Sequence, residues 1–128
     1  MKTQYAMALT LFAGATIGAG VVQGLHAQAQ PPVYLVTETD ISNMDAFAKE
    51  YLPVVQATIN SAGGTRLAGG SNITAFEGTP PKSRVAINRF DSLEQLKAWR
   101  NSPEFEAARK IGEKYATFRS FAVEGLPQ

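Results

Sequence analysis

The chain contains no cysteine, and its single histidine, His26, lies in an uncharged N-terminal segment. A domain without cysteine must be stable without disulfides. If the segment with His26 is removed, the remaining chain has neither residue type. Zinc sites of the Cys/His type, histidine-ligated haem, c-type haem attachment, and Ser-His-Asp or Cys-His catalysis are then excluded. We therefore expect no metal and no cofactor, and any acid or base must be Asp, Glu, Lys, Tyr or the substrate itself.

Charge of one sign is not in excess either. The chain has 12 Lys and Arg against 11 Asp and Glu, and removal of Lys2 with the N-terminal segment leaves 11 of each sign. This balance argues against a nucleic-acid partner, which requires clustered positive charge to displace counterions. Phosphate-binding loops of the GxGxxG or GxxxxGK[ST] type are also missing.

The first 29 residues have the pattern of an export signal. Lys2 supplies a positive charge, residues 6–22 are uncharged and mostly Ala, Leu, Gly and Val, and "LHAQAQ" offers cleavage after Ala27 or Ala29. We expect a signal peptide over residues 1–29, and cleavage would place the protein in the periplasm or outside the cell. The remaining 99 of the 128 residues, over 30–128, suffice for one domain with no membrane contact.

An uncleaved membrane anchor is the alternative for this segment, because residues 3–30 contain no charged side chain. Glycines and threonines dilute the apolar run, however, and an Ala-x-Ala site follows it directly. These two features favour cleavage.

Hydrophobic patterning in the rest of the chain predicts the order βαββαβ. Turn residues and capping signals separate strand-like alternation from helical spacing. Predicted strands cover "VYLVTETD" (33–40), two short pieces of "TRLAGGSNITAFEG" (65–78), "RVAINRF" (84–90) and "TFRSFAVEG" (117–125), and helices follow the first and third of these segments. The two short pieces lie around Gly69-Gly70 and suggest a hairpin or a bulged strand.

Two prolines mark predicted irregularities in the helices. Pro53 lies inside the first helix, where it removes a backbone donor, and this predicts a kink or a tightened turn. In "NSPEF", Ser102 is a preferred N-cap and Pro103 a preferred first helical residue. The second helix is therefore expected to stop before Ser102 and to restart with a new axis.

The βαββαβ order predicts an α+β, ferredoxin-like fold, with an antiparallel sheet and two helices on one face. The opposite face of the sheet is then uncovered. Alternation places apolar residues on both faces of the first and third strands, and an exposed apolar face usually marks an interface. We therefore predict a homodimer in which two sheets cover each other, which is a dimeric α/β barrel.

The segments "GGTRLAGG", "FEG", "RVAINRFDSLEQLKAWRNSPEFEAARKIG" and "VEG" resemble a bacterial domain-of-unknown-function family of the dimeric α+β barrel (ferredoxin-like) superfamily. The resemblance covers about residues 33–125 of the chain, and "AW.NSPEF" is its most specific part. It implies the fold and the dimer. It leaves the activity open, because similar proteins range from cofactor-free monooxygenases and isomerases to haem enzymes and ligand-binding or stress modules.

Candidate site residues follow from an assignment of strand faces. If Val85 and Ile87 face the helices, the alternate residues of that strand face the dimer cavity. We assign to this cavity Tyr34, Val36, Glu38, Arg84, Ala86, Asn88 and Phe90. Arg84 is expected to stabilise an anionic oxygen and Glu38 to act as acid or base, which would make both catalytic. A structural ion pair between them at the rim is the alternative.

Two further candidates lie on the interrupted helix. Trp99 is expected either to stack on a ligand or, more commonly for such a residue, to pack in the core. Arg109 either reaches the cavity mouth or pairs with Glu106 or Glu113 on the helix surface, and surface pairing is favoured. Ser102 is a helix cap rather than a nucleophile, because no base is available to activate it.

The expected function is binding of a small apolar or aromatic molecule in the dimer cavity of an exported protein. A cofactor-independent enzyme, monooxygenase- or isomerase-like, that uses Glu38 and Arg84 is one alternative. A non-catalytic dimerisation or stress module is the other. Nothing in the residue spacing identifies a reaction.

Overall fold

A computed structural model describes residues 30–127 of the chain. The signal peptide predicted over residues 1–29 lies outside this part. Among the described residues, no helix has the length and apolar character needed to cross a membrane.

Four strands and two helices, of which the second is interrupted, follow one another in the order predicted from the sequence. Helix α1 is continuous through three segments, of which the middle one is a π-helical turn. The elements are β1 Val33–Ile41, α1 with its segments Met44–Ala46, Phe47–Tyr51 and Leu52–Ser61, β2 Thr65–Gly70, β3 Arg84–Phe90, α2 Leu93–Arg100, α3 Pro103–Gly112 and β4 Ala116–Glu124. Residues 71–83 form neither helix nor strand, so only the first of the two strand-like pieces near Gly70 is a strand.

The four strands form one antiparallel sheet in the order β2-β3-β1-β4. Strand β1 is central, with Val33 opposite Phe90 of β3 and Ile41 opposite Ala116 of β4. This order, together with the βαββαβ sequence of elements, is the ferredoxin-like arrangement. The predicted α+β fold is therefore confirmed.

Helix α1 widens just before Pro53. The N–H of Leu52 donates to the carbonyl of Phe47, five residues back, instead of four. Because Pro53 has no N–H to donate, the carbonyl four residues before it receives no helical hydrogen bond from that position. The irregularity expected at Pro53 is therefore a widened turn rather than a tightened one.

The second helix breaks where the sequence predicts. Ser102 is the N-cap of α3, and its hydroxyl accepts from the N–H of Phe105 at 3.2 Å while it donates to the carbonyl of Trp99 at 2.7 Å. Trp99 fills the corner between α2 and α3, with its ring 4.4 Å from that of Phe105, and its Nε1 donates to Thr58 at 3.0 Å. Trp99 therefore packs in the core.

Both helices cover the same face of the sheet, and the core lies between them and the strands. The buried side chains come from all the helices and from the inner face of the sheet. This core includes Val33, Leu35, Phe47, Tyr51, Val55, Ile59, Phe90, Leu96, Trp99, Phe105 and Ala108.

The face assignment predicted for β3 is wrong. The side chains of β3 that point toward the helices and are buried are Arg84, Ala86, Asn88 and Phe90, whereas those of Val85, Ile87 and Arg89 point to the open face. Phe90 decides this orientation, because its ring is fully buried in the core, and every second residue of the strand must follow it.

The end of helix α3 approaches the core closely at Gly112. A Cβ added there would lie 2.8 Å from ring carbons of Tyr51 and 2.9 Å from the ring of Phe118. Glycine is therefore required by the packing of α3 against these two rings.

We predict that Gly112→Ala destabilises the domain by about 1–2 kcal/mol, because overpacking of a filled core outweighs the helix propensity gained by alanine. Urea-induced unfolding measures this change. In a Tyr51→Ala background only the close approach to Phe118 remains, so the cost of the same substitution should fall without disappearing. An equal cost in both backgrounds would show that the contact with Tyr51 is not the cause.

Candidate functional site

A small cavity lies between the sheet and the helices, with a volume of about 30 Å³. One part of its wall is apolar and aromatic, with Phe47, Ile59 and Trp99 among its residues. The other part carries hydroxyl, amide and guanidinium groups. These polar residues are Thr37, Thr39, Tyr51, Arg66, Arg84, Asn88 and Arg109.

Three arginines from three different elements face this cavity: Arg66 from β2, Arg84 from β3 and Arg109 from α3. Arg84 is only 8% exposed. No carboxylate of residues 30–127 forms an ion pair with any of the three. Burial lowers the pKa of each guanidinium, because it disfavours the charged form. The cavity therefore concentrates positive charge that the described part of the protein does not neutralise.

Arg66 and Arg84 lie side by side, beneath the backbone of Gly69. A Cβ added at Gly69 would be 3.1 Å from Nη2 of Arg84 and 3.4 Å from Cδ of Arg66. Nε of Arg66 also donates to Oδ1 of Asn88 at 3.4 Å, and Asn88 is 3% exposed. After burial, the charge of Arg66 is the next cause that lowers the pKa of Arg84. The pair thus forms a cationic cradle with a buried amide at its side.

Arg109 is held by aromatic rings rather than by a carboxylate. Its guanidinium carbon lies 3.6 Å from the ring centroid of Phe118 and 5.0 Å from that of Phe105. Its Nε is buried and has no hydrogen-bond partner. The favoured expectation of surface pairing with Glu106 or Glu113 is therefore wrong, because the side chain turns inward over the rings.

Tyr51 lies among these cations. Burial raises the pKa of its hydroxyl, although the charges of Arg109, Arg84, Arg100 and Arg66 act in the opposite direction. The phenol therefore stays protonated at neutral pH and can donate a hydrogen bond. It reaches this position from the widened turn of α1, Phe47–Tyr51, whose two aromatic ends are both buried.

The structure separates the two residues that the sequence reasoning made catalytic partners. Glu38 points to the open face of the sheet, where it forms an ion pair with Arg119 of β4. Arg84 points into the cavity on the other face. The prediction that Glu38 and Arg84 share a dimer cavity is therefore wrong, and so is the alternative that they form an ion pair. Both fail because the alternation of side chains along β3 turns Arg84 to the inner face.

The other candidates from the sequence also divide between the two faces. Tyr34 lies on the open face, opposite Arg89 of β3. Asn88, Trp99 and Arg109 line the cavity, and Phe90 is fully buried in the core beside Trp99, 5.4 Å between ring centroids.

Arg66 and Tyr51 were missed by the sequence reasoning. Arg66 stands in "TRLAGG", where a single arginine in a short strand gives a weak signal. Tyr51 follows Phe47 at helical spacing and reads as ordinary core. Only the tertiary arrangement shows that both approach Arg84.

A larger groove of about 980 Å³ lies outside the helices, between α1 and the corner of α2 and α3. Its walls are mostly small and apolar, as at Val54, Ala57 and Ala98, and its one charged residue among those described is Glu104. We place the candidate site in the inner cavity instead, because binding specificity requires convergent polar groups, and these lie there.

The chemistry open to the inner cavity follows from its groups. Three guanidiniums and a neutral phenol can hold an oxyanion, but the described lining contains no Asp or Glu that could act as base. In residues 30–127, no group of three or more His, Cys, Asp or Glu side chains is placed to hold a metal ion. The arrangement is therefore suited to binding a negatively charged group.

Solved structures with the same fold come from several bacteria. A protein of unknown function from Rhodopseudomonas palustris is 16% identical, with a TM-score of 0.61 over 84% of this chain and 92% of that one. SnoaB, a cofactor-independent oxygenase from Streptomyces nogalater, is 14% identical, with a TM-score of 0.52 over 77% of this chain and 96% of that one.

A putative antibiotic biosynthesis monooxygenase from Caulobacter crescentus is 13% identical, with a TM-score of 0.54 over 81% of this chain and 98% of that one. At these identities the likeness shows the fold alone. Among curated protein sequences, none matches this chain.

The family relationship is carried by the sequence of the folded domain. A family model described as a domain of unknown function, DUF1330, matches residues 32–126, which is almost all of the described part. The chain therefore belongs to the DUF1330 family.

Proposed function

We propose that this protein binds a small organic anion in the cavity between its sheet and helices. The observation that carries the proposal is the convergence of Arg66, Arg84 and Arg109 on one space without a carboxylate partner among residues 30–127. A carboxylate, enolate or phenolate of the ligand would supply the missing negative charge.

The energetic argument is that buried charge is costly unless it is paired. Removing a guanidinium from water without a counter-ion destabilises the folded protein by about several kcal/mol, even after the surrounding structure and water relax around it. This cost applies most strongly to Arg84, which is buried, whereas Arg66 and Arg109 are only partly buried. A bound anion would pair with all three groups and offset the cost. The hydroxyl of Tyr51 adds a neutral donor to the same space.

The apolar part of the wall determines which uncharged groups the ligand can carry beside its anionic group. The ring of Phe118 borders both the cavity and the open space beside it. Such a wall favours a flat apolar body that is attached to the charged group but lies outside the cavity, which is too small for a ring. This refines the expected ligand from an apolar or aromatic molecule to an aromatic or similarly flat anion. The binding would take place after export, in the periplasm or outside the cell, once residues 1–29 are removed.

A reaction in the same cavity is the second candidate function. Guanidiniums beside a neutral phenol favour the ionised form of an enol or phenol, and such an electron-rich anion can react with dioxygen without a cofactor. Similarity of fold to SnoaB, a cofactor-independent oxygenase, supports this candidate. Glu38 has no part in this reaction, because its side chain lies on the other face of the sheet. Measuring oxygen consumption with an enolisable aromatic substrate tests this second candidate function.

We also propose that the protein is a homodimer that closes over the open face of the sheet. Phe121 and Val123 are 46% and 55% exposed there, beside the partly exposed Val36 and Ile87 of the central strands. A second copy offers the same apolar band, and the pair of Glu38 and Arg119 lies at its side. Covering this face would remove an apolar patch from water.

The first prediction from the proposed function concerns Arg84. Arg84→Met should weaken binding of 2-naphthoate by about 10- to 100-fold, because a hydrogen bond to a charged group contributes roughly 1.5–3 kcal/mol. The same change should raise the melting temperature of the ligand-free protein, since it removes an unpaired buried charge and keeps most of the side-chain volume. Titration calorimetry and thermal unfolding measure the two effects.

Arg89→Met is the matched control for Arg84→Met. Arg89 lies on the same strand but on the opposite face, where it pairs with Asp91 at 2.8 Å. It should leave 2-naphthoate binding unchanged. A lower melting temperature for ligand-free Arg84→Met would show that Arg84 has a structural role instead.

The second prediction concerns the raised pKa of Tyr51. A raised pKa means that the folded state holds the phenol proton more tightly, so the stabilisation is complete below pH 10 and is lost as the pH rises through the folded-state value. The free energy of unfolding should therefore fall above pH 10, and Tyr51→Phe should flatten this fall.

Denaturant titrations between pH 8 and pH 11 measure the effect. Hydrogen bonding to Glu50 raises the pKa of Tyr115 in the same direction. Both proteins should therefore carry Tyr115→Phe, so that only Tyr51 differs. Parallel pH profiles of the two proteins would contradict the burial of an ionisable Tyr51.

The third prediction concerns the dimer. Phe121→Glu places a charge in the apolar band of the open face and should dissociate the homodimer, because the two carboxylates would have to be removed from water on association. Sedimentation equilibrium at micromolar concentration measures the mass. Phe76→Glu is the control, since Phe76 is 93% exposed in the 71–83 segment and should leave the dimer intact. A monomeric unaltered protein would exclude the dimer.

A further inference from the structure

A second space lies directly outside the inner cavity, between helix α3 and the edge strand β4. It has a volume of about 520 Å³ and is open to solvent. We call it the outer groove, and the residues used below are Arg100, Phe105, Arg109, Glu113, Phe118 and Ser120. Its floor is aromatic, because the rings of Phe105 and Phe118 lie on it.

Only a thin layer of side chains separates the outer groove from the inner cavity. Arg109 and Phe118 border both spaces. Beside them, the hydroxyl of Ser120 in the groove donates to that of Thr37 in the cavity wall at 3.3 Å. The two spaces are therefore neighbours across a shared wall rather than separate sites.

Arg109 is the cationic part of this wall. Its guanidinium rests on the rings of Phe118 and Phe105, and its buried Nε has no hydrogen-bond partner. No ion pair with a described carboxylate must break when it rotates. An anion that enters from the groove would offer this guanidinium the partner that it lacks.

The sizes of the two spaces limit the ligand. The inner cavity, at about 30 Å³, has room for a charged group but not for a ring. The outer groove is large enough for one or two fused rings. A ligand with both an anionic group and a flat body would therefore fit the two spaces together but neither space alone.

We infer that the ligand is an elongated anion that spans both spaces. Its charged group lies against Arg66 and Arg84, its flat apolar body lies in the outer groove on Phe105 and Phe118, and Arg109 positions the junction. This inference rests on the proposed anion site in the inner cavity. To that proposal it adds that the ligand is elongated and that it enters from the edge of the sheet at β4.

A series of carboxylates of increasing length tests the inference by titration calorimetry: acetate, benzoate and 2-naphthoate. Affinity should rise by about tenfold or more from acetate to 2-naphthoate, because each ring buries apolar surface in the groove. Ser120→Phe should fill the groove from an exposed position. It should reduce 2-naphthoate affinity by about tenfold and leave acetate affinity within about twofold.

Glu113→Phe fills the same groove from helix α3 and should have the same effect, in case one of the two variants fails to fold. Ser71→Phe, exposed in the 71–83 segment, is the control and should change neither affinity. Equal affinity for acetate and 2-naphthoate, or unchanged 2-naphthoate binding in both groove variants, would overturn the elongated ligand and leave the anion site standing. Failure of all three anions to bind would overturn the anion site as well.

Discussion

The alternation of side chains along β3 is the constraint on which the site depends. Phe90 is fully buried against Trp99, and a Cβ at Gly64 would lie 2.9 Å from its ring, so this end of the strand cannot be turned over. Because successive side chains point to opposite faces, Asn88 and Arg84 must then point inward as well. The apolar core thus fixes a cation in the interior, and the strand cannot expose Arg84 without exposing Phe90.

Because of this coupling, the buried arginines lower the folding stability of the domain as a whole. Arg84 cannot reach solvent through the open face, and Arg66 shares its space under Gly69. Two guanidiniums side by side repel each other, and a well-packed apolar pair would be expected to be more stable. The presence of two such groups in a domain without cysteine therefore supports the anion site proposed above rather than a stabilising role.

The parts of the structure that depend on local chemistry could be predicted from the amino-acid sequence. The order of elements and the helix break at Ser102 follow from capping residues, turn residues and periodicity, and both are confirmed. The sequence does not show which face of β3 is buried, because Val85 and Ile87 are as apolar as Ala86 and Phe90. Periodicity gives two sets of residues but not which set is inside. The prediction that Arg109 pairs on the helix surface was wrong for a related reason. The rings of Phe105 and Phe118 that hold its guanidinium come from two different elements, and the sequence does not show that they meet.

The corrected faces also separate the two proposed interactions of the protein. In β1, odd-numbered residues such as Thr37 line the inner cavity, whereas Glu38 and the other even-numbered residues form the open face. A second subunit on the open face would therefore leave the cavity and the outer groove uncovered. Ligand access at the edge formed by β4 and α3 does not require the dimer to open, so binding and association can proceed independently unless β1 itself shifts.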